Sequence, residues 1–102
     1  MNPTTECLSL AEVRTHIDRL DGELLALIAE RGAYVRQAAR FKRNAEEVAA
    51  PQRVAQILAR IVAQADQHGL DRRVAEATWR AMITAFIAVE HAEYAAVQPP
   101  SP

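Results

Sequence analysis

The sequence predicts an all-α protein with three helices per chain, the first of them much longer than the others. Half of the 102 residues are hydrophobic but only 5% are aromatic, with alanine and leucine prominent, as is typical of a helical protein. Apolar residues recur at spacings of three and four over long stretches, and no stretch shows the alternation of a half-buried strand. Scarce glycines and prolines divide the chain into three segments.

The first helix is predicted from about residue 10 to residue 43. Ser9 and Glu12 form the pattern of a capping box at its start. A stripe of apolar residues, interrupted once by Arg31, then follows one side of the helix. This first-helix seam consists of Leu10, Val13, Ile17, Leu20, Leu24, Leu27, Arg31, Tyr34, Ala38 and Phe41.

The length of this helix predicts a partner for the seam. Such a helix measures roughly 50 Å at ~1.5 Å per residue, whereas a compact monomer of this size has a radius of gyration of about 13 Å. The seam would extend beyond any core that the remaining chain can form. We therefore expect a homodimer with interlocked long helices. The alternative is a helix bent or broken at Gly32.

Two further helices follow a short connection, NAEEVAA, at residues 44–50. Pro51 suits the first turn of the second helix, and Gly69 is a plausible stop for it. Asp71 is expected to cap the third helix. The apolar face of the second helix carries Val54, Ile57, Leu58, Ile61, Val62 and Ala65, and that of the third carries Val74, Trp79, Ile83, Phe86, Glu90 and Tyr94.

These elements define one helical domain over residues 9–96, with a disordered N-terminus at 1–8 and a disordered Pro-rich tail at 97–102. A formal net charge of −1 argues against nucleic acid or an anionic membrane as a partner. No apolar run reaches the ~18 residues that a membrane span needs, and the N-terminus lacks a signal-peptide pattern. We expect a cytoplasmic protein.

Metal, cofactor and nucleophile chemistry have no motif in this sequence. A single cysteine, Cys7, excludes an intrachain disulfide. His16, His68 and His91 show no metal-ligand spacing with one another or with Cys7, so no metal site is expected. No phosphate-binding glycine loop or nucleophile motif is present.

Four charged residues interrupt or flank the apolar faces, and they are the candidates for function. Arg31 occupies a seam position, Arg14 and Lys42 flank the seam, and Glu90 lies on the face of the third helix. A buried charge is costly unless it is paired, so each must pair internally, reach water or meet a ligand. Arg53, at the start of the second helix, is positioned to close one side of a site.

Distances along the first helix limit how these cations combine. Arg31 and Lys42 are about 16 Å apart and can converge on one anion, whereas Arg14 is about 25 Å from Arg31. An antiparallel partner helix would bring its own Arg14 to the site. The residues alone therefore support a helical dimer that binds a small dianion, and surface salt bridges stay open as the alternative.

The same positions carry a family resemblance. The segment LAEVRTHIDRLDGELLALIAERGAYV resembles the first helix of the all-helical chorismate mutases, in which R-x-x-I-D-x-[LI]-D is followed by L-[LI]-x-x-R. The resemblance continues through Lys42, Arg53 and the Gly-Leu-Asp of 69–71. The closer likeness is to the isochorismate pyruvate lyase branch, which makes salicylate for siderophores. It rests on Cys7, Tyr34-Val35, Arg40-Phe41-Lys42 and the A-P-x-R-V of 50–54.

Two positions depart from common family patterns. In typical mutases a glutamate that binds the ring hydroxyl follows the second-helix arginine, and here Val54 stands there. This departure favours the lyase branch. Related bacterial enzymes commonly carry a glutamine where this chain has Glu90, and a glutamate donates a hydrogen bond only when protonated. Burial would raise the pKa of Glu90 and nearby cations would lower it; a structural salt bridge is the alternative role.

The resemblance implies an intertwined homodimer with two sites shared between the chains. Arg31 and the partner's Arg14 would bind the two carboxylates of isochorismate or chorismate. Lys42 would bind a carboxylate and the ether oxygen of the enolpyruvyl group. Protonated Glu90 would donate to the same oxygen, and Arg53 would assist on the second helix. The reaction is pericyclic in both branches, so no cofactor is expected.

Three functions remain open from the sequence. The first is isochorismate pyruvate lyase with weak chorismate mutase side activity, and the second is chorismate mutase, since some mutases use a glutamate at the position of Glu90. The third is a non-catalytic helical dimer with a regulatory role, which predicts Arg14, Arg31 and Lys42 paired with acidic side chains.

Overall fold

A computed structural model describes residues 4–97, and every regular element in that range is an α-helix. The helices are α1 (Leu10–Ala39), α2 (Ala45–Ala49), α3 (Pro51–His68) and α4 (Arg72–Val97). The all-α prediction is confirmed. No helix within this range is both long and apolar enough to cross a membrane. The expectations for residues 1–3 and 98–102 and for the side chain of Tyr94 lie outside the described residues.

Contacts divide the chain into two units, a first unit that ends at Tyr34 and a second that begins at Val35. The described part of the first unit consists of residues 4–34, nearly all of it α1. The Ser9 half of the capping box predicted at its start is confirmed, because the backbone N–H of Glu12 donates to Ser9 Oγ over 3.1 Å. Glu12 Oε2 in turn accepts from the backbone N–H of Leu8 over 2.8 Å.

The first unit leaves its apolar seam exposed. None of its described residues is buried, and Leu20 and Leu24 in the middle of the seam are 47% and 54% exposed. The other exposed seam residues here are Leu10, Val13, Ile17, Leu27 and Tyr34. This stretch of helix is therefore amphipathic and has no apolar partner within its own unit.

The second unit has a hydrophobic core between α3 and α4. Ile57 and Leu58 of α3 pack with Ile83 of α4, and Val54, Ile61, Trp79 and Ile87 surround them. The face predicted for α3 is thus confirmed. On α4 the prediction for Val74 is wrong, because its side chain is 53% exposed whereas that of Ala75 is 1% exposed. The buried position at the start of α4 is thus occupied by the smaller residue.

The turn between α3 and α4 follows the expected capping chemistry. Gly69 adopts a left-handed conformation, with φ 68° and ψ 24°, and its N–H reaches the carbonyls of Ala65 and Asp66. Asp71 Oδ1 accepts from the backbone N–H of Arg73 over 2.8 Å, which caps the start of α4. Both predicted boundaries are confirmed.

The segment between α1 and α3 differs from the prediction. α1 ends at Ala39 rather than near residue 43, and a tighter turn follows, in which the N–H of Lys42 donates to the carbonyl of Ala39 over 3.3 Å. The expected plain connection contains the five-residue helix α2. Asn44 Oδ1 caps α2 by accepting from the N–H of Glu47 over 2.9 Å, and Val48, only 1% exposed, anchors it.

Candidate active site

The five candidate residues fall into both units. Lys42, Arg53 and Glu90 belong to the second unit, and Arg14 and Arg31 belong to the first. Arg14 is exposed and Arg31 is half-buried. These two arginines are 17 positions apart in the sequence, so they lie about 25 Å apart along α1. Within one chain they cannot grip the same small molecule together.

An open cavity of about 840 Å³ lies in the second unit around α2 and the start of α3. Its volume falls within the range of roughly 300–1,000 Å³ that is usual for small-molecule sites. Lys42 and Arg53 both contribute to its wall, so two of the predicted cations meet at one cavity. The lining residues are Lys42, Asn44, Glu46, Glu47, Ala49, Ala50, Pro51, Gln52 and Arg53.

Lys42 is held at this cavity by a backbone oxygen. Its Nζ donates to the carbonyl of Glu47 over 3.1 Å, and the side chain is half-buried. A backbone carbonyl carries no net charge, so the positive charge of the ammonium group is not neutralised. Lys42 can therefore still attract an anion.

Arg53 follows Pro51 in the first turn of α3 and is exposed. Among the described residues, Arg14, Lys42 and Arg53 make no ion pair with an acidic side chain. Acidic residues do pair with other arginines: Arg19 with Glu23, Arg43 with Glu47, Arg72 with Asp66, Arg73 with Asp71 and Arg80 with Glu76. The non-catalytic alternative predicted acidic partners for Arg14 and Lys42, and the described residues provide none.

Glu90 is a buried carboxyl group on α4, only 7% exposed. Burial raises its pKa above the ordinary value, and the positive charges of Lys42 and His91 oppose that rise. No hydrogen bond or ion pair joins Glu90 to Lys42 within the described chain. Glu90 is also not part of the cavity wall described above. The described residues thus give no support to the salt-bridge role. The raised pKa extends the pH range over which the carboxyl group keeps its proton and can donate a hydrogen bond.

Val54 follows Arg53 and packs against the core instead of facing a polar ligand. Its half-buried side chain lies against the cluster of Ile57, Leu58 and Ile83. A carboxylate at this place would be partly desolvated, at a cost that only a well-placed partner offsets. The apolar residue is therefore consistent with the local packing.

Two residues that line the cavity together with Lys42 were not identified from the sequence. Asn44 and Glu47 both line the cavity and bond to each other through the cap of α2. Their spacing, a cap-forming residue followed three positions later by glutamate, is a helix-start pattern that could have revealed α2. Among residues 4–97, no group of three or more His, Cys, Asp or Glu side chains is placed to hold a metal ion.

Comparisons with known proteins identify the family of the chain. A family model described as Chorismate mutase type II matches residues 13–91, which is most of the chain. The chain is also 34% identical over 88 residues to an isochorismate pyruvate lyase of Pseudomonas aeruginosa, and the match covers 86% of this chain and 87% of that protein. The range 13–91 of the family model includes all five candidate residues. The chain therefore belongs to the chorismate mutase type II family of enzymes.

Proposed function

We propose that this enzyme is an isochorismate pyruvate lyase, which converts isochorismate into salicylate and pyruvate and has weak chorismate mutase side activity. The observation that carries the proposal is the 34% identity to the Pseudomonas lyase over 86% of the chain. Val54 adds support, because it places an apolar residue where the resemblance leads one to expect a hydroxyl-binding glutamate in a mutase.

In the proposed reaction the carbon–oxygen bond to the enolpyruvyl group breaks while a ring hydrogen passes to the methylene carbon of that group. The electron pairs move in one cyclic step, so the ring becomes aromatic salicylate and the side chain leaves as pyruvate. Negative charge grows on the ether oxygen as the bond breaks. The enzyme therefore needs fixed positive charge and a hydrogen-bond donor at that oxygen, and no nucleophile.

Lys42 is the proposed source of that charge. Its ammonium group lines the cavity and has no acidic partner among the described residues, so its full charge is available to the ether oxygen. Glu90, in its protonated form, would donate a hydrogen bond to the same oxygen. Arg53 would support a carboxylate at the other side of the cavity, where its planar fork can bind both oxygens.

The two substrate carboxylates would be bound by Arg31 and by the Arg14 of a second copy of the chain. This part of the proposal requires a homodimer. Its support is the exposed seam of the first unit, in which Leu20 and Leu24 are about half exposed although they lie in the middle of a long helix. An apolar stripe of that length is unfavourable in water, and a second long helix would cover it.

One observation also supports a second candidate function, chorismate mutase. Glu90 is buried, its pKa is raised, and the charge of Lys42 acts on it. A protonated carboxyl beside an ammonium group could stabilise the ether oxygen of chorismate equally well. In that reaction the methylene carbon bonds to the ring, and the product is prephenate.

The test offers isochorismate and chorismate separately to the purified protein. Salicylate is followed by its fluorescence, and prephenate by its acid conversion to phenylpyruvate. We expect salicylate to form much faster than prephenate, and Lys42→Ala to remove both activities, which excludes a contaminating enzyme. Prephenate as the main product would establish the mutase instead. No product from either substrate between about pH 4 and pH 8, a range that spans the ordinary carboxyl and histidine pKa values, would overturn both.

A further inference from the structure

The three polar groups of Glu47 bind three consecutive residues that begin with the proposed catalytic lysine. Its carbonyl accepts from Lys42 Nζ over 3.1 Å, and its carboxylate Oε2 accepts from the backbone N–H of Arg43 over 2.5 Å. Its own N–H donates to Asn44 Oδ1 over 2.9 Å. Glu47 of α2 is thus hydrogen-bonded to all three residues of segment 42–44.

The bond from Lys42 has a cause in the sequence around α2. The last carbonyls of a helix lack the donor four residues further on unless the helix continues. The carbonyl of Glu46 receives the N–H of Ala50 over 2.9 Å. The residue four positions after Glu47 is Pro51, which has no N–H to donate. The carbonyl of Glu47 is therefore left for a side chain, and the ammonium group of Lys42 provides the bond.

α2 itself depends on these contacts. Five residues form little more than one turn, and isolated helices of that length are not stable in water. The Asn44 cap and the buried side chain of Val48 hold the turn against α4. The Glu47 carboxylate fixes the chain just before α2, because it accepts from the backbone N–H of Arg43. It also lies 3.8 Å from the guanidinium Nε of Arg43.

We propose that Glu47 is a positioning residue for Lys42. It does not act on the substrate; its carboxylate stabilises α2, and the carbonyl at the end of α2 sets the location of the ammonium group at the cavity. The mechanistic part of this inference rests on the proposed function, in which Lys42 stabilises the ether oxygen. The structural part, the restraint of the Lys42 side chain, is independent of the reaction.

The restraint can be measured directly because Lys42 is the single lysine of the sequence. Lysine labelled with ¹³C at the ε-carbon therefore gives one side-chain signal in the full-length protein. We expect a high order parameter for that methylene group in the natural sequence and a clear fall in Glu47→Ala. The matched control is Glu76→Ala, which likewise removes the partner of an arginine at i,i+4 spacing, but on α4. The control should leave the Lys42 signal unchanged.

Kinetics then test the consequence for catalysis. A displaced ammonium group weakens stabilisation of the transition state more than binding of the substrate. For Glu47→Ala we expect kcat to fall about tenfold, with KM changed by less than about twofold. Glu47→Gln retains an oxygen that accepts from Arg43 N–H, so it should recover most of the lost kcat. Asn44→Ala, which removes the cap of α2, should lower the Lys42 order parameter as Glu47→Ala does.

The outcomes separate the two proposals. An unchanged Lys42 order parameter in folded Glu47→Ala, checked by circular dichroism, would overturn the positioning role whatever the activity. A lower order parameter with unchanged kcat would overturn its link to catalysis. If the natural sequence converts neither isochorismate nor chorismate, the proposed function fails, while the order parameter still decides whether Glu47 restrains Lys42.

Discussion

The two units of the chain differ in the solvent exposure of their apolar side chains. The second unit buries its apolar face, with Ile57, Leu58 and Ile83 each less than 10% exposed. The first unit presents an equally apolar stripe to solvent, with Leu20 and Leu24 about half exposed. Both patterns are heptad-like in sequence, so the difference lies in the available partners and not in the helices themselves.

The difference reflects which helices can find an apolar partner within a single chain. α3 turns back on α4 after a three-residue connection, so each is the natural partner of the other. The long α1 has no neighbour in sequence that can follow its whole length. The cations divide in the same way, since Lys42 and Arg53 share a cavity in the second unit while Arg14 and Arg31 belong to the first.

The largest expected effect tests whether the first unit completes the site across a dimer. We expect Arg14→Ala and Lys42→Ala each to lower kcat/KM by about 10²- to 10³-fold, as is usual when one transition-state donor is lost. Mixing the two after unfolding and refolding together should restore about a quarter of normal activity, because half the dimers are mixed and each has one intact site. The measurement is salicylate formation in the mixture.

The control is the Arg14→Ala variant alone, unfolded and refolded in the same way. It should stay inactive. A mixture no more active than its parts would contradict a shared site. A natural protein that sediments as an 11.3 kDa monomer at micromolar concentration would contradict the dimer itself.

The second prediction compares equivalent truncations in the two units. Ile83→Ala removes buried methylene groups from the core and should cost about 2–5 kcal/mol of the free energy of unfolding. Leu24→Ala should cost about 2 kcal/mol if a partner chain covers the seam, and its melting temperature should rise with protein concentration. Urea unfolding measures the two free energies, and thermal unfolding at two protein concentrations measures the shift in melting temperature. A cost for Leu24→Ala below ~0.5 kcal/mol, the range of surface substitutions, would mean that the seam stays exposed.

A smaller effect concerns the buried carboxyl group in the second unit. Because the pKa of Glu90 is raised in the folded protein, the folded state binds its proton at pH values where the unfolded state has released it. The contribution of Glu90 to stability therefore falls as pH rises above its ordinary value of 4.5, and it levels off above the folded pKa. Glu90→Gln cannot ionise, so its stability relative to the natural protein should increase over this window.

The pH dependence of kcat should also reflect the ionisation of Glu90. If protonated Glu90 donates to the ether oxygen, kcat of the natural protein falls as pH rises through the folded pKa, and Glu90→Gln gives a flatter profile. Glu76→Gln, an exchange of the same kind outside the core, should leave the profile as it is. A natural profile that is flat from about pH 5 to pH 8, which spans the range of raised carboxyl pKa values, would remove this role for Glu90.

The smallest expected effect is at the junction of α2 and α3. Ala50 has φ 39° and ψ 60°, a left-handed conformation that costs a residue with a Cβ atom about 1–2 kcal/mol. Ala50→Gly removes that strain but makes the unfolded chain more flexible, so we expect a net change of less than about 1 kcal/mol. Ala50→Val should be clearly destabilising. Thermal unfolding of both variants measures this, and equal stability of Ala50→Val and the natural protein would contradict the assigned conformation.

Most helix starts and stops were predictable because they depend on neighbouring residues; the end of α1, at Ala39 and not near residue 43, is the exception. The Ser9–Glu12 box, Pro51, Gly69 and Asp71 all act where the sequence analysis placed them. The short helix α2 was missed, although Asn44 and Glu47 signal it, because five residues have too little periodicity to stand out. The exposure of Val74 and the burial of Ala75 could not be foreseen, since adjacent positions on one helix are separated only by how the helix is rotated in the fold.

By itself, then, the sequence determined the all-α class, the main helix boundaries, the apolar faces and the set of unusual charges. These are local properties, set by side-chain size, capping groups and backbone freedom within a few residues. Only the tertiary structure decided that Glu90 is buried, that Lys42 binds the carbonyl of Glu47 and that Lys42 and Arg53 share a cavity. The burial of Glu90 depends on packing between residues far apart in the chain. The Lys42 bond and the shared cavity depend on the turns that the short segment 42–53 adopts, which periodicity does not reveal.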